Sequence, residues 1–152
     1  MAASILDNYS YQSIVQRIQV LTPNHTAEWG KMTVNQMIVH LTDQVRIAMN
    51  QKESEDVSSF FSRTFLKYIV LKVTKMPKST PTVKEVDSEK DGTKPTDWEK
   101  DKATLLALLV EFRTRSEYMT LAPHPKFGKL TRSEWGKLIY SHLAHHLGQF
   151  GV

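Results

Sequence analysis

The 152-residue chain contains no cysteine. This absence excludes disulfide bonds, thiolate metal ligands and a cysteine nucleophile supplied by the chain itself. A metal site would have to use histidine, carboxylate or water ligands, and thiol chemistry would need a thiol from outside the chain. Glycine and proline number six each, too few for a fibrous or low-complexity protein.

Long apolar runs and a strong charge of one sign are missing as well. No run approaches the ~20 apolar residues of a transmembrane helix, and the first residues lack the basic and apolar segments of a secretory signal. We therefore expect a cytoplasmic protein without a transmembrane segment. The formal net charge of +4 is low for a dedicated nucleic-acid-binding protein, and the length predicts one domain over residues 1–152.

Three segments carry the sequence signature of a helix start. A threonine is followed three residues later by glutamine or glutamate at Thr33–Gln36, Thr96–Glu99 and Thr131–Glu134. In such a capping box the two side chains bond each other's backbone amides at the first turn. Because each box precedes an apolar-periodic segment, three helices are predicted.

Two more helices follow from the spacing of apolar residues. Residues 10–21 predict a short leading helix with an apolar face (Ile14, Val15, Ile18, Leu21), and residues 57–74 predict a longer one (Phe61, Phe65, Leu66, Ile69, Val73). The polar, proline-punctuated residues 77–95 form a long connection rather than a domain boundary. The predicted fold is an all-α four-helix bundle with an additional short N-terminal helix and a long crossover loop.

Two histidines occupy the apolar face of the last predicted helix. At about 100° per residue, His142 and His146 lie in the middle of that face, one above the other. Histidines at this spacing can bind one metal ion together, although polar core residues or a water-filled cleft remain alternatives. His40, at the border of the apolar face of its own helix, is the natural third ligand.

Four further residues are candidates for supporting roles. Asp43, one turn from His40, suits a catalytic base or a group that orients a ligand ring, the alternative being a solvated helix charge. His145 suits a flanking group or a proton shuttle. His124 lies in a proline-flanked loop that could cover the mouth of a site, and Gln149 could orient a bound cofactor.

The last helix resembles a known motif. The segment His142-Leu-Ala-His-His-Leu-Gly-Gln149 is similar to the final helix of the DinB/YfiT-like superfamily. Further similarities point to a subfamily of unknown function within it, at Trp29–Met32, Gln36–His40, His124–Gly128, Leu130–Gly136 and Tyr140–Val152. They cover both ends of the chain, whereas residues 50–120 match only loosely.

This resemblance implies a four-helix bundle that holds a divalent metal with three histidines, here His40, His142 and His146. A three-histidine site with an open position suits Zn²⁺, Ni²⁺, Fe²⁺ or Mn²⁺. In characterised relatives the metal activates an external low-molecular-weight thiol such as glutathione, or the protein is a metal-dependent hydrolase. The resemblance thus implies a thiol S-transferase or hydrolase that acts on a small molecule, and bundles of this kind often pair as homodimers.

Two other functions stay open. The first is a non-catalytic bundle that binds a metal or another ligand. The second is a nucleic-acid or anionic-surface binder through residues 57–84, which contain six basic residues, four aromatic residues and no acid. We interpret this stretch in the first place as a core helix with a solvated basic face.

Overall fold

The computed structural model describes residues 3–72, 76–78 and 81–152, which form five α-helices and no β-strand. The predicted all-α fold class is therefore confirmed. The helices are α1 (Asn8–Val20), α2 (Val34–Ala48), α3 (Lys67–Lys72), α4 (Trp98–Arg115) and α5 (Arg132–Gln149). A π-helical turn, Ser62–Leu66, runs directly into α3, and a 3₁₀ turn spans Lys84–Val86.

Helix α2 is the central element of the bundle. Twelve of its fifteen residues are buried, because α4, α5 and the 3₁₀ turn all pack against it. Helix α1 packs on α5 from the other side. Polar residues of α2 and of the inner face of α5 are therefore buried. Because polar residues are seldom buried without a partner, these positions indicate a structural or functional role.

Two of the three predicted capping boxes are present. The side chains of Thr33 and Thr131 accept hydrogen bonds from the third residue of α2 and α5, and that residue bonds back in each case. The box predicted at Thr96–Glu99 is wrong, because Asp97 is the cap of α4 and accepts from the backbone N–H of Lys100 at 2.9 Å. The Asp97 carboxylate is a charged acceptor, which binds this amide more strongly than a hydroxyl does.

The predicted helix over residues 57–74 is shorter than expected. Helical structure begins only at Phe60 and continues through the π-helical turn and α3 to Lys72, and residues 73–74 lie outside the described part of the chain. The described part of the long connection, in turn, is not a loose loop. Its 3₁₀ turn packs against α2, and both Glu85 and Val86 are buried.

The apolar face predicted for this helix is also wrong. Phe61, Phe65 and Ile69 are exposed rather than buried, and the side chains that pack against the core are those of Val70 and Leu71. This helical segment has only a limited contact with α5. Neighbouring elements therefore cover one side of it, and the aromatic side is left in solvent.

No helix in the described residues combines the length and the hydrophobicity needed to cross a bilayer.

Candidate metal centre

Three histidine rings meet between α2 and α5. Nε2 of His142 lies 2.9 Å from Nε2 of His40 and 3.0 Å from Nε2 of His146. Each pair of ring centroids is 4.7 Å apart, and all three residues are buried. The structure thus brings together the three residues that the sequence nominated as ligands, and this buried group could hold a metal ion.

The outer nitrogens of two rings are held by fixed acceptors. Nδ1 of His40 lies 2.8 Å from the carbonyl oxygen of Val86, and Nδ1 of His146 lies 2.7 Å from Oε1 of Gln149. An oxygen acceptor requires Nδ1 to carry the proton. In a neutral ring, Nε2 then presents its lone pair to the centre of the cluster, which is the arrangement typical of metal-bound histidines.

The third ring leaves the cluster short of protons. His142 can donate from Nε2 to one of its two neighbours, so at least one close nitrogen pair has no proton between its lone pairs. Nδ1 of His142 is buried and has no hydrogen-bond partner in the described residues. Such unsatisfied buried atoms cost free energy, and a cation bound to the three lone pairs would remove the conflict at the centre.

The separations also suit one small cation. Two nitrogens bound to the same tetrahedral zinc, each about 2.0–2.1 Å from it, lie about 3.3–3.4 Å apart. The observed 2.9 and 3.0 Å separations are within a few tenths of an ångström of that value. The donor set and its spacing therefore fit a mononuclear divalent ion with three imidazole ligands.

Burial keeps these imidazoles in the form that binds metals. It lowers the pKa of His40, places the pKa of His142 well below its ordinary range, and lowers the pKa of His146 to about 3. Loss of hydration is the largest cause in each case, and the neighbouring histidines add to it. At neutral pH all three rings are uncharged, as metal ligation requires.

A cavity of about 250 Å³ opens onto the histidine cluster. Its wall combines apolar side chains, among them Ile47, Val86, Trp135 and Leu138, with the candidate residues His124, His145 and Gln149. The cavity gives a small molecule direct access to the three rings. A concave apolar site with a few converging polar groups is the usual form of a ligand-binding site.

His145 and His124 lie in the wall of this cavity in different ways. The His145 ring packs edge-on against His146, with centroids 5.0 Å apart. Nδ1 of His124 accepts the backbone N–H groups of Lys126 and Phe127 at 3.1 and 3.2 Å. Neither ring belongs to the cluster of three, but both line the cavity.

Gln149 connects the cluster to the loop before α2. Its Oε1 accepts from His146, and its Nε2 donates to the carbonyl oxygen of Trp29 at 2.7 Å. Gly30 follows with φ of +83°, and a Cβ at this position would lie 2.6 Å from Nε2 of Gln149. Glycine is therefore required here, and a side chain at residue 30 would displace the amide that orients His146.

The structure does not bring Asp43 into the cluster. The residue is fully buried, not solvated, and its carboxylate accepts from the backbone N–H of Thr93 at 2.7 Å and from its hydroxyl at 2.6 Å. Lys52 lies 3.1 Å from the same carboxylate. These contacts occupy the Asp43 carboxylate and hold the long connection against α2.

Sequence reasoning missed two contributors to the site. The Val86 carbonyl that fixes His40 is a backbone group in a loop, and no sequence pattern marks it. Gln44 lines the cavity one helical turn after His40 and is buried, yet its Oε1 has no hydrogen-bond partner in the described residues. Its spacing of four from His40 was a usable signal.

Comparison with protein families identifies the chain. The model of a family described as "Protein of unknown function (DUF1569)" matches residues 3–151. The chain therefore belongs to this family. No curated protein and no solved structure matches the chain significantly.

Proposed function

We propose that this member of the DUF1569 family binds one divalent metal ion through His40, His142 and His146, and that it is a metal-dependent thiol S-transferase or hydrolase. The convergence of three buried Nε2 atoms, with the outer nitrogens of two rings held by oxygen acceptors, carries the proposal. A neutral all-imidazole donor set suits Zn²⁺, Ni²⁺, Fe²⁺ or Mn²⁺.

A divalent ion in this site would lower the pKa of a coordinated water or thiol and so supply a nucleophile near neutral pH. The chain's own contribution is orientation and enclosure. The Val86 carbonyl and Gln149 fix two of the rings, and the apolar wall around them limits the access of bulk water. In the thiol reaction the thiol must come from a small cofactor, because the chain has no cysteine.

The groups that could move protons are the two histidines in the cavity wall. His124 accepts two backbone N–H groups at Nδ1, so its proton is on Nε2 and can be donated to a bound molecule. His145 is only half-buried beside His146, where it can exchange protons with solvent. We give Asp43 no part in the reaction because Thr93 and Lys52 already occupy its carboxylate.

Elemental analysis of tag-free protein, dialysed after exposure to Zn²⁺, Ni²⁺ or Mn²⁺, tests the metal site. We expect about one ion per chain, and near zero in His40→Ala and His146→Ala. The control is His25→Ala, since this exposed-loop ring bonds only Thr22 in the described residues. No bound ion in the native protein would overturn the proposal.

The reaction is tested by comparing the loaded and metal-free protein. A thiol S-transferase consumes glutathione or bacillithiol in the presence of an electrophile, whereas a hydrolase cleaves ester or amide substrates without a thiol. Either activity should disappear in His146→Ala. Stoichiometric metal without either activity would instead support a non-catalytic metal- or ligand-binding protein.

A second candidate function is favoured by the exposed side of α3 and the residues before it. Phe60, Phe61, Phe65 and Tyr68 are all more than half exposed, and no acidic residue lies between Val57 and Lys84. Arg63, Lys67 and Lys84 are ion-paired with acids outside this segment, but Lys72, beside Tyr68, is in no ion pair of the described residues. An aromatic surface with a basic neighbour suits an anionic surface. Salt-sensitive binding to phosphatidylglycerol vesicles that is lost in Phe61→Ser/Phe65→Ser would support it, and a dimer dissociated by the same substitutions would indicate a second copy instead.

A further inference from the structure

Apart from the histidine cluster, the cavity has positively charged groups at its rim and neutral polar groups deeper inside. Lys31 and Lys126 line the cavity, and no carboxylate does so in the described residues. Neither lysine forms an ion pair within the described chain; Lys126 donates to the Pro81 carbonyl instead. The rim therefore presents positive charge that no side chain neutralises.

Two acidic residues belong to an adjoining groove. Asp87 and Glu89 line this groove, which shares Lys31 and His40 with the cavity. Asp87 is already paired with Lys90 at 3.3 Å. The charge inside the cavity itself remains positive, so an anionic group is the ligand chemistry that its rim favours.

Two neutral groups inside the cavity are also available to a ligand. Gln44 is 8% exposed, and its buried Oε1 accepts no hydrogen bond from the described residues. Nε2 of His124 must carry the proton, because Nδ1 accepts two backbone N–H groups, and His124 lines the cavity. A ligand with a hydroxyl group beside the Gln44 amide and an acceptor for His124 would bond to both.

The remaining wall is apolar and sets the size of the ligand. Val83, Phe127, Trp135 and Leu138 contribute to it. The cavity volume of about 250 Å³ lies just below the ~300–1,000 Å³ of sites that hold drug-sized ligands. This space suits a molecule of about ten non-hydrogen atoms with an apolar body.

We propose that the cavity binds a small organic acid that has an apolar body, an anionic group held by Lys31 and Lys126 with the His124 N–H, and a hydroxyl group that hydrogen-bonds to the Gln44 amide. The inference names the substrate class of the same cavity, and it rests on the proposed function only in treating this molecule as a substrate.

Three probes of nearly equal size test the two polar contacts separately. Mandelate carries the anion and the hydroxyl, phenylacetate lacks the hydroxyl, and mandelamide lacks the charge. Isothermal titration calorimetry at low ionic strength gives the dissociation constant of each. We expect mandelate to bind about tenfold more tightly than mandelamide and about fivefold more tightly than phenylacetate.

Substitutions assign these differences to residues. Lys31→Met/Lys126→Met should bring mandelate and mandelamide within about twofold, whereas Lys129→Met/Lys137→Met removes the same charge outside the cavity and should keep the difference. Gln44→Leu should remove only the advantage of the hydroxyl. Circular dichroism shows whether each variant is folded.

Equal affinities of the native protein for mandelate and mandelamide, or no binding of any probe, would overturn the inference. The titrations are made on the EDTA-treated protein and again after addition of Zn²⁺. Probe selectivity without zinc binding would refute the proposed metal site alone. Zinc binding without probe selectivity would refute the substrate class alone.

Discussion

Two of the buried polar residues of α2, His40 and Asp43, differ in how the rest of the chain satisfies their hydrogen-bonding groups. The Asp43 carboxylate is fully buried and accepts from Thr93 and Lys52. His40 is likewise buried, but the hydrogen-bond partner of its Nε2 among the described residues is another histidine, His142. A buried polar group that the chain satisfies stabilises the fold, whereas one that it leaves unsatisfied indicates a ligand.

The largest effect that this comparison predicts is at His142. His142→Leu should abolish metal binding, because it removes the nitrogen that lies between the other two. The same change should raise the free energy of unfolding of the metal-free protein by about 1–2 kcal/mol, since it replaces a ring with an unsatisfied Nδ1 by an apolar side chain. Metal analysis and urea unfolding in EDTA measure the two effects.

Asp43 should show the reverse pattern. Asp43→Ala leaves the Thr93 amide and hydroxyl without their acceptor and should lower the free energy of unfolding by about 3 kcal/mol, with metal stoichiometry unchanged. The control is Asp56→Ala, whose ion pair with Arg63 is solvent-exposed and should be worth less than about 1 kcal/mol. Loss of metal in a folded Asp43 variant would contradict the distinction between the two residues.

The pH dependence of the free energy of unfolding extends the comparison to His124, a histidine outside the cluster. Burial, followed by the nearby charge of Lys126, lowers the pKa of His124 to about 3 from an ordinary value of 6.5. Below about pH 6.5 the unfolded chain therefore binds more protons than the folded one, and stability falls with falling pH until the folded pKa is reached. His124 alone should contribute up to about 1.4 kcal/mol per pH unit in that window.

Urea unfolding between pH 7 and pH 4 checks this slope in the native protein and in His124→Asn. The asparagine oxygen can accept the backbone N–H of Lys126 or Phe127 but does not titrate. The variant should lose stability less steeply, whatever its absolute stability. Identical slopes in the two proteins would show that His124 ionises as freely in the folded state as in the unfolded one.

The sequence predicted the parts of this comparison that depend on periodicity. Local spacing predicted the starts of α2 at Thr33 and of α5 at Thr131, and the stacking of His142 over His146. A helix preserves this spacing wherever it packs. The meeting of His40 with this pair required knowledge of how α2 lies against α5, and the resemblance to a known family supplied it. The confirmation of the fold class and the convergence of the histidines both rest on these helices.

Contacts made by loops and short elements were beyond such reasoning. The partner of Asp43 is Thr93, fifty residues away, so the sequence offered a solvated charge as the default. The aromatic spacing of Phe61 and Phe65 correctly indicated one helical side, but spacing alone does not reveal whether that side is covered. Burial depends on neighbouring elements, and apart from the π-helical turn before it α3 has only a limited contact with α5.

The smallest effect is expected for Gln149, which orients the ring of His146. Gln149→Ala removes the acceptor of His146 Nδ1 but leaves all three candidate ligands. Loss of such an orienting partner weakens metal binding by about 10–100-fold, so zinc should still bind, with an affinity at least about tenfold lower in competition with a chelating dye. Gln51→Ala, which removes a surface amide bonded to Glu111, should leave the affinity unchanged. If Gln149→Ala also binds zinc as tightly as the native protein, the His146 ring is oriented by packing alone, and the bond to Gln149 is a structural contact of the same kind as that between Asp43 and Thr93.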